Sequence, residues 1–177
     1  LRFKVVAAAP PWLQGEQGVS RKGPDPLQAS YYYSRPQLKV QAQLSRGGKV
    51  EDLAGIAWLD HEWSSAALAP DAVGWDWVGM NLDDGSALAA FQIRSKQAGQ
   101  PPVQTYAALR GASGSVQLVA PADVRFTPLR YWNSSRYRSA WPVAQRIRIG
   151  TRVFETRPLM DDQELDSRLT TGAVYWE

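Results

Sequence analysis

Proton transfer is the chemistry that the rarest residues of this chain could carry, and they gather in one stretch, Leu53 to Asp84. It holds the only histidine, His61, four of the eight tryptophans (Trp58, Trp63, Trp75 and Trp77), and the separated carboxylates Asp60, Glu62 and Asp76. A two-residue period through its first half puts Ala57, Leu59, His61 and Trp63 on one face. Trp58, Asp60 and Glu62 then face the other way. In the second half Asp76 aligns with Val78, Met80 and Leu82, opposite Trp75 and Trp77. One imidazole and one carboxylate therefore each interrupt an apolar stripe, where an unpartnered polar group is costly. A carboxyl in a dry pocket keeps its proton, because burial disfavours its charged form, and it can then serve as an acid. The same placement also suits a structural role, with His61 and Asp76 hydrogen-bonded to each other in the interior.

The elements that must position these residues are strands. LRFKVVAAA reads as a strand halted at Pro10-Pro11, and Gly15 to Pro26 has the Gly, Pro, Ser and Asp density of a loop. QASYYYS and QLKVQAQLS read as two strands separated by Arg35-Pro36. In the second, Leu38, Val40, Ala42 and Leu44 alternate with polar residues, the mark of a half-buried strand. Arg46-Gly47-Gly48-Lys49 and Asp83-Asp84-Gly85-Ser86 are hairpin turns. Turn chemistry recurs at Gly99 to Pro102, Gly111 to Ser115, Pro121 to Asp123 and Gly150-Thr151, with strands between, and DDQELDS is an acidic loop before a last strand, TTGAVYWE. Nowhere does an apolar period of three to four residues run for three turns. The expected fold class is all-β, an antiparallel barrel or sandwich.

Composition narrows the function classes. The 177 residues suffice for a real core, and 44% are hydrophobic, well above the range of disordered chains. With no cysteine and one histidine, neither a disulfide framework nor a thiolate or multi-histidine metal site can be built. A net charge of +3 and a pI near 9.3 permit an anionic partner without requiring one. No apolar run reaches the roughly 18 residues of a membrane span. The strand-like ends, Leu1 without a preceding methionine and GAVYWE running to Glu177, read as cuts from something longer.

Other motifs have bland readings. HEW lacks the HExxH zinc pattern. RYWNSSRYRSAW interleaves arginines with aromatic rings, as single-stranded nucleic-acid sites do, but its arginines are expected to pair with Asp161 to Asp166 rather than with phosphates. DDQELDS lacks the glycine and spacing of a calcium loop, so an arginine-paired loop is expected. Asp60 and Glu62 are expected to pair with arginines. Tyr31, Tyr32 and Tyr33 read as barrel filling, with Tyr32 expected to line a ligand cavity.

LQGEQGVSRKG, SYYYSRPQL, GIAWLDHEW, GWDWVGMNLDDG and DDQELDSRLTTGAVYWE resemble AttH-like secreted proteins of the carotenoid hydratase superfamily, the hydroxyneurosporene synthase type. The resemblance covers nearly the whole chain. It implies tandem lipocalin-like β-barrels, with residues 1–63 the C-terminal part of a first barrel and 64–177 a second barrel, incomplete at its end. It implies a hydrophobic, isoprenoid- or lipid-like ligand in a barrel cavity and, as in the carotenoid members, cofactor-free addition of water to an isolated carbon–carbon double bond. Such a reaction protonates the alkene, spreads the resulting cation over aromatic faces, and delivers water. The resemblance carries over to His61 and Trp63 in DHEW and to Asp76, so that Asp76 and His61 are the expected catalytic pair, with no metal and no cofactor. The neighbouring rings Trp75, Trp77 and Tyr32 are expected to line the ligand with Trp63. The alternatives are a lipocalin-like carrier without chemistry and an accessory protein of the bacterial envelope associated with ABC transporters. A periplasmic or secreted location is implied. So is a complementary partner, the missing N-terminal half of the same protein or another copy. No nucleic-acid partner is expected.

Overall fold

The computed structural model describes residues 1–65, 68–170 and 172–177. Among them every regular element is a strand except one turn of 3-10 helix at Pro121–Asp123, and every strand pairing is antiparallel. The chain divides into two compact units, Leu1–Pro121 and Ala122–Glu177.

The first unit holds two sheets. Strand β4 (Ala29–Arg46) is the spine of one, pairing with β1 (Arg2–Val6), β2 (Trp12–Leu13), β3 (Val19–Arg21) and β5 (Lys49–Trp63). The other runs β6 (Ala72–Asn81), β7 (Ala87–Ser95), β8 (Gln104–Arg110), β9 (Val116–Leu118) in spatial order. The β4–β5 hairpin closes on Gly47 and Gly48, whose φ values of 57° and 77° are those a tight hairpin turn demands and side chains resist.

Two sequence expectations change here. The Arg35-Pro36 stretch does not end a strand: β4 continues through it as a bulge, with Pro36 and Gln37 lying where β5 offers only Trp58. Proline lacks a ladder donor, and a bulge is one of the few places within a sheet that tolerates it. The Gly15 to Pro26 loop also contains β3, which pairs Val19 with Tyr31.

The inner faces of the two sheets meet around Trp12, Ala87, Ala89 and Ala108, with Trp58 and Tyr106 packed against them. A second cluster joins Ala69, Ala72, Phe91 and Ile93 to Trp75 and Val103. Small residues on β6 to β8 make room for the large rings opposite. Gly79 is the tightest such point, since a methyl there would stand 2.7 Å from both Trp58 Cε2 and Trp77 Cη2.

The second unit is a three-stranded sheet, β10 (Val124–Asn133), β11 (Ala140–Ile149) and β12 (Arg152–Glu155), and a hairpin, β13 (Glu164–Ser167) with β14 (Ala173–Trp176). Strand β13 corrects the expectation of a loop across DDQELDS. Its one apolar residue, Leu165, leaves no alternation to read, and its order comes from the ladder with β14. The arginine pairing expected there is present: Arg130 grips Asp161 through two bonds of 2.8 and 2.6 Å, Arg168 holds Asp166 at 2.6 Å, and Arg136 lies 3.8 Å from Asp162.

Gly79→Ala is expected to destabilise the first unit by about 1–3 kcal/mol through overpacking, measured by denaturant unfolding followed by tryptophan emission. An unchanged midpoint would mean that the two indoles separate freely.

Candidate functional site

Strand β5 presents two chemically different faces. On one, register pairs set Phe3 beside Ala42, Val5 beside Val40, and Leu53, Ala57 and Leu59 along the same side. Directly opposite partners share a face of a sheet, so this apolar surface runs across β1, β4 and β5, interrupted by Arg35 opposite Leu59. It ends in an aromatic quartet. His61 stacks on Tyr33 with ring centroids 5.5 Å apart, Trp63 stacks on Tyr31 at 5.6 Å, and His61 and Trp63 are 4.9 Å apart. The predicted apolar stripe with one imidazole is real, but its residues are largely exposed, Trp63 at 49%, and His61 itself is exposed. His61 therefore needs no internal partner.

The other face of β5 carries a hydrogen-bond network. Tyr32 OH and Ser34 Oγ both donate to Asp60 Oδ1, at 3.0 and 2.5 Å. Behind Ser34 stands Gln14, whose amide donates to Ser34 Oγ at 3.0 Å and accepts from Tyr106 OH at 3.0 Å. Behind Tyr32 stands Trp77, whose indole N–H donates to its hydroxyl at 3.0 Å. Two relays from the interior thus converge on one carboxylate oxygen. Gln14, Tyr32 and Ser34 are buried. Burial, reinforced by the Asp60 charge, pushes the Tyr32 phenol far above its usual range, and burial raises Tyr106 as well. Glu62, next on this face, binds the Lys22 ammonium at 2.7 Å and accepts from Ser30 at 2.5 Å. The arginine partners expected for Asp60 and Glu62 are thus replaced by hydroxyls and a lysine.

Asp76 lies on the face of β6 opposite Trp77, its side chain 9% exposed. Gln92, its cross-strand partner, donates to Oδ2 at 2.8 Å, and the Arg94 guanidinium stands 3.5 Å from Oδ1. Both neighbours donate, so Asp76 acts as an acceptor. Trp77 points from β6 toward the inner face of β4, and His61 lies on the outer face of β5. His61 and Asp76 therefore lie on opposite outer sides of the two sheets and do not bond each other. Of the predicted ligand-lining rings, Trp63 accompanies His61, Trp77 and Tyr32 join the Asp60 network, and Trp75 packs on the Phe91 and Ile93 cluster. No group of three or more metal-ligating side chains occurs among the described residues. Nor does any helix there have the length and apolarity to cross a membrane.

The model of the AttH-like family matches residues 1–177. The chain belongs to the AttH-like family. A candidate AttH from Nitrosomonas europaea superposes with a TM-score of 0.88 at 53% identity, over 99% of this chain and 54% of its own. Kievitone hydratase from Nectria haematococca superposes with a TM-score of 0.70 at 21% identity, over 93% of this chain and 50% of its own. This AttH-like chain therefore spans about half the length of both solved structures. No curated protein matches it. The antiparallel all-β, lipocalin-like fold class is borne out by both superpositions.

Sequence reading missed Ser34, Gln14 and Tyr106. The signal was the alternation of Ser30, Tyr32 and Ser34 opposite Asp60 and Glu62, but the bulge in β4 hides that register. The network has a testable pH signature. A phenol whose folded pKa is raised contributes stability that is complete below its unfolded value of 10.0 and is lost as pH rises beyond it. Stability should therefore fall above pH 10.0, and Tyr32→Phe should flatten that fall, as read from denaturant midpoints across alkaline pH. A slope unaffected by the substitution would contradict the buried, protonated Tyr32.

Proposed function

We propose that this AttH-like chain belongs to a protein that binds a hydrophobic, isoprenoid- or lipid-like small molecule against the apolar face of β1, β4 and β5. The observation that carries this reading is the exposed, mainly apolar surface ending in the Tyr33, His61, Trp63 and Tyr31 quartet. Exposed apolar surface gains roughly 25 cal/mol for each Å² it loses to a ligand, and aromatic rings offer broad faces to a polyene or acyl chain. The His61 ring nitrogens and the Tyr31 and Tyr33 hydroxyls can donate or accept hydrogen bonds, which suits this end of the face to hold a water or a ligand hydroxyl.

The activity we propose for the complete protein is cofactor-free hydration of an isolated double bond, supported by family membership and by a fold shared with a hydratase. A carboxyl proton passes to one alkene carbon, water oxygen bonds to the other, and the surplus water proton returns to the carboxylate. In this scheme Asp76 is the acid and His61 orients the water, which requires the complete protein to bring to one alkene two residues that this chain holds on opposite sides of its sheets. A second reading, a carrier without chemistry, is favoured by one observation: Gln92 and Arg94 engage Asp76 as an acceptor, on the far side of the sheets from His61. The division into tandem barrels at residue 63 and a periplasmic or secreted location belong to the same proposal.

The test uses the complete protein. Adding a fatty acid or polyene should quench tryptophan emission saturably, and Trp63→Ala should weaken that binding roughly tenfold. Unsaturable quenching would sink both readings. Asp76→Asn then separates them. Under hydration, turnover of an isoprenoid alkene falls on the order of a hundredfold or more while the fold and binding survive. Under the carrier reading no variant turns over substrate, and the Asn variant loses only stability, about 1–3 kcal/mol.

A further inference from the structure

We propose a second binding site, for an organic ammonium group, on the face of β5 opposite His61, built from Asp60 and Trp77, with Trp58 against the Trp77 ring. Asp60 Oδ1 is held by the Tyr32 and Ser34 hydroxyls, whereas Oδ2 has no partner among the described residues and the residue is exposed. Asp60 also makes no ion pair among those residues. A carboxylate fixed through one oxygen and open at the other is already oriented for a charged donor, so a ligand would not have to order it.

The carboxylate is joined to an exposed aromatic ring. Trp77 is 42% exposed, and its indole nitrogen reaches Asp60 through the Tyr32 hydroxyl in two bonds of 3.0 Å. Trp58 meets Trp77 edge to face, with centroids 6.3 Å apart. An ammonium over an indole face is attracted by the negative charge density of the ring, and more so where water is partly excluded.

The molecule already satisfies the same chemistry one position along. The Lys22 ammonium sits 2.7 Å from Glu62, 4.2 Å from the centroid of Phe91 and 5.3 Å from that of Tyr32. Carboxylate and ring together hold a cation there. Asp60, two residues before Glu62 on the same face, is joined to Trp77 through the Tyr32 hydroxyl, and no Lys or Arg among the described residues pairs with it. A hard metal ion fits poorly, because it asks for six or more oxygen ligands and only one carboxylate oxygen is open. An alkylammonium fits, its charge toward Asp60 and its methyl groups on the indole.

Choline and its uncharged carbon isostere, dimethylbutanol, titrated calorimetrically into the complete protein, test this directly. Choline should bind saturably and the isostere roughly tenfold more weakly or not at all. Asp60→Asn, which can still accept the two hydroxyl bonds, should weaken choline about tenfold. Trp77→Leu should do the same by removing the ring, and it decides the matter if the Asn variant does not fold. A saturating fatty acid should leave choline binding unchanged, so this site and the hydrophobic face fail independently. The proposal is overturned by absent choline binding, by equal binding of the isostere, by unchanged affinity in a folded variant, or by displacement of choline by the fatty acid.

Discussion

The arrangement of the first unit depends on one extra residue in β4. Between the pairs Arg35 with Leu59 and Leu38 with Ala57, the strand spends two residues, Pro36 and Gln37, where β5 spends one. Side chains alternate with a period of two, so one added residue exchanges the faces of everything beyond it. Leu38, Val40, Ala42 and Leu44 share a face with His61, while on the other side of the bulge Tyr32 and Ser34 turn to the opposite face, where Asp60 lies. Gln37 adopts φ of 55°, a costly conformation for a side-chain-bearing residue. It is held there by the β6–β7 connection: its N–H donates to Asn81 at 2.7 Å, and its side-chain amide donates to the carbonyls of Leu82 and Ser86 at 2.9 and 2.8 Å. The bulge is thus pinned to the facing sheet, and it lets one strand serve a polar interior at one end and an apolar surface at the other.

That constraint explains why β5 has two characters. Its apolar face keeps rings and aliphatic side chains together around a single imidazole. Its polar face collects two relays that begin in the core and end on Asp60, so the inter-sheet contact is fastened by directional bonds as well as by ring packing. Networks of this kind are costly when half satisfied and specific when complete. Trp77 belongs to both contributions, as a donor to Tyr32 and as a ring against Trp58.

Much of the fold was legible because strand alternation and turn chemistry are local. The Gly47-Gly48 hairpin, the turn before β7 and the absence of long helices all follow from neighbouring residues. The resemblance in SYYYSRPQL, DHEW and GWDW reached the AttH-like family for the same reason, since those strings survive intact. What the sequence hid was long-range. A bulge at Pro36 and Gln37 reads as a break between strands, because nothing local says that pairing resumes on the far side with its faces exchanged. His61 and Asp76 looked alike, each a polar interruption of an apolar stripe, but burial depends on what covers a stripe. His61 stands exposed among rings, and the Asp76 side chain is largely covered, bonded by Gln92 and beside Arg94. Ser34 and Gln14 carry no chemical signature alone and gain their role from the carboxylate the register brings to them.

The most direct test of this account is denaturant unfolding, followed by tryptophan emission, of a variant lacking Gln37. Deletion lets β4 and β5 pair without the bulge and leaves Tyr32 and Ser34 opposite Asp60, but it removes the three bonds to Asn81, Leu82 and Ser86 that pin β4 to the facing sheet and so seat the relays against Trp77 and Tyr106. The account predicts loss of the cooperative transition of the first unit, or a midpoint lowered by several bonds' worth of stability, with tryptophan emission moved toward that of solvent-exposed indole. A deletion variant with the parent's midpoint and emission would contradict it.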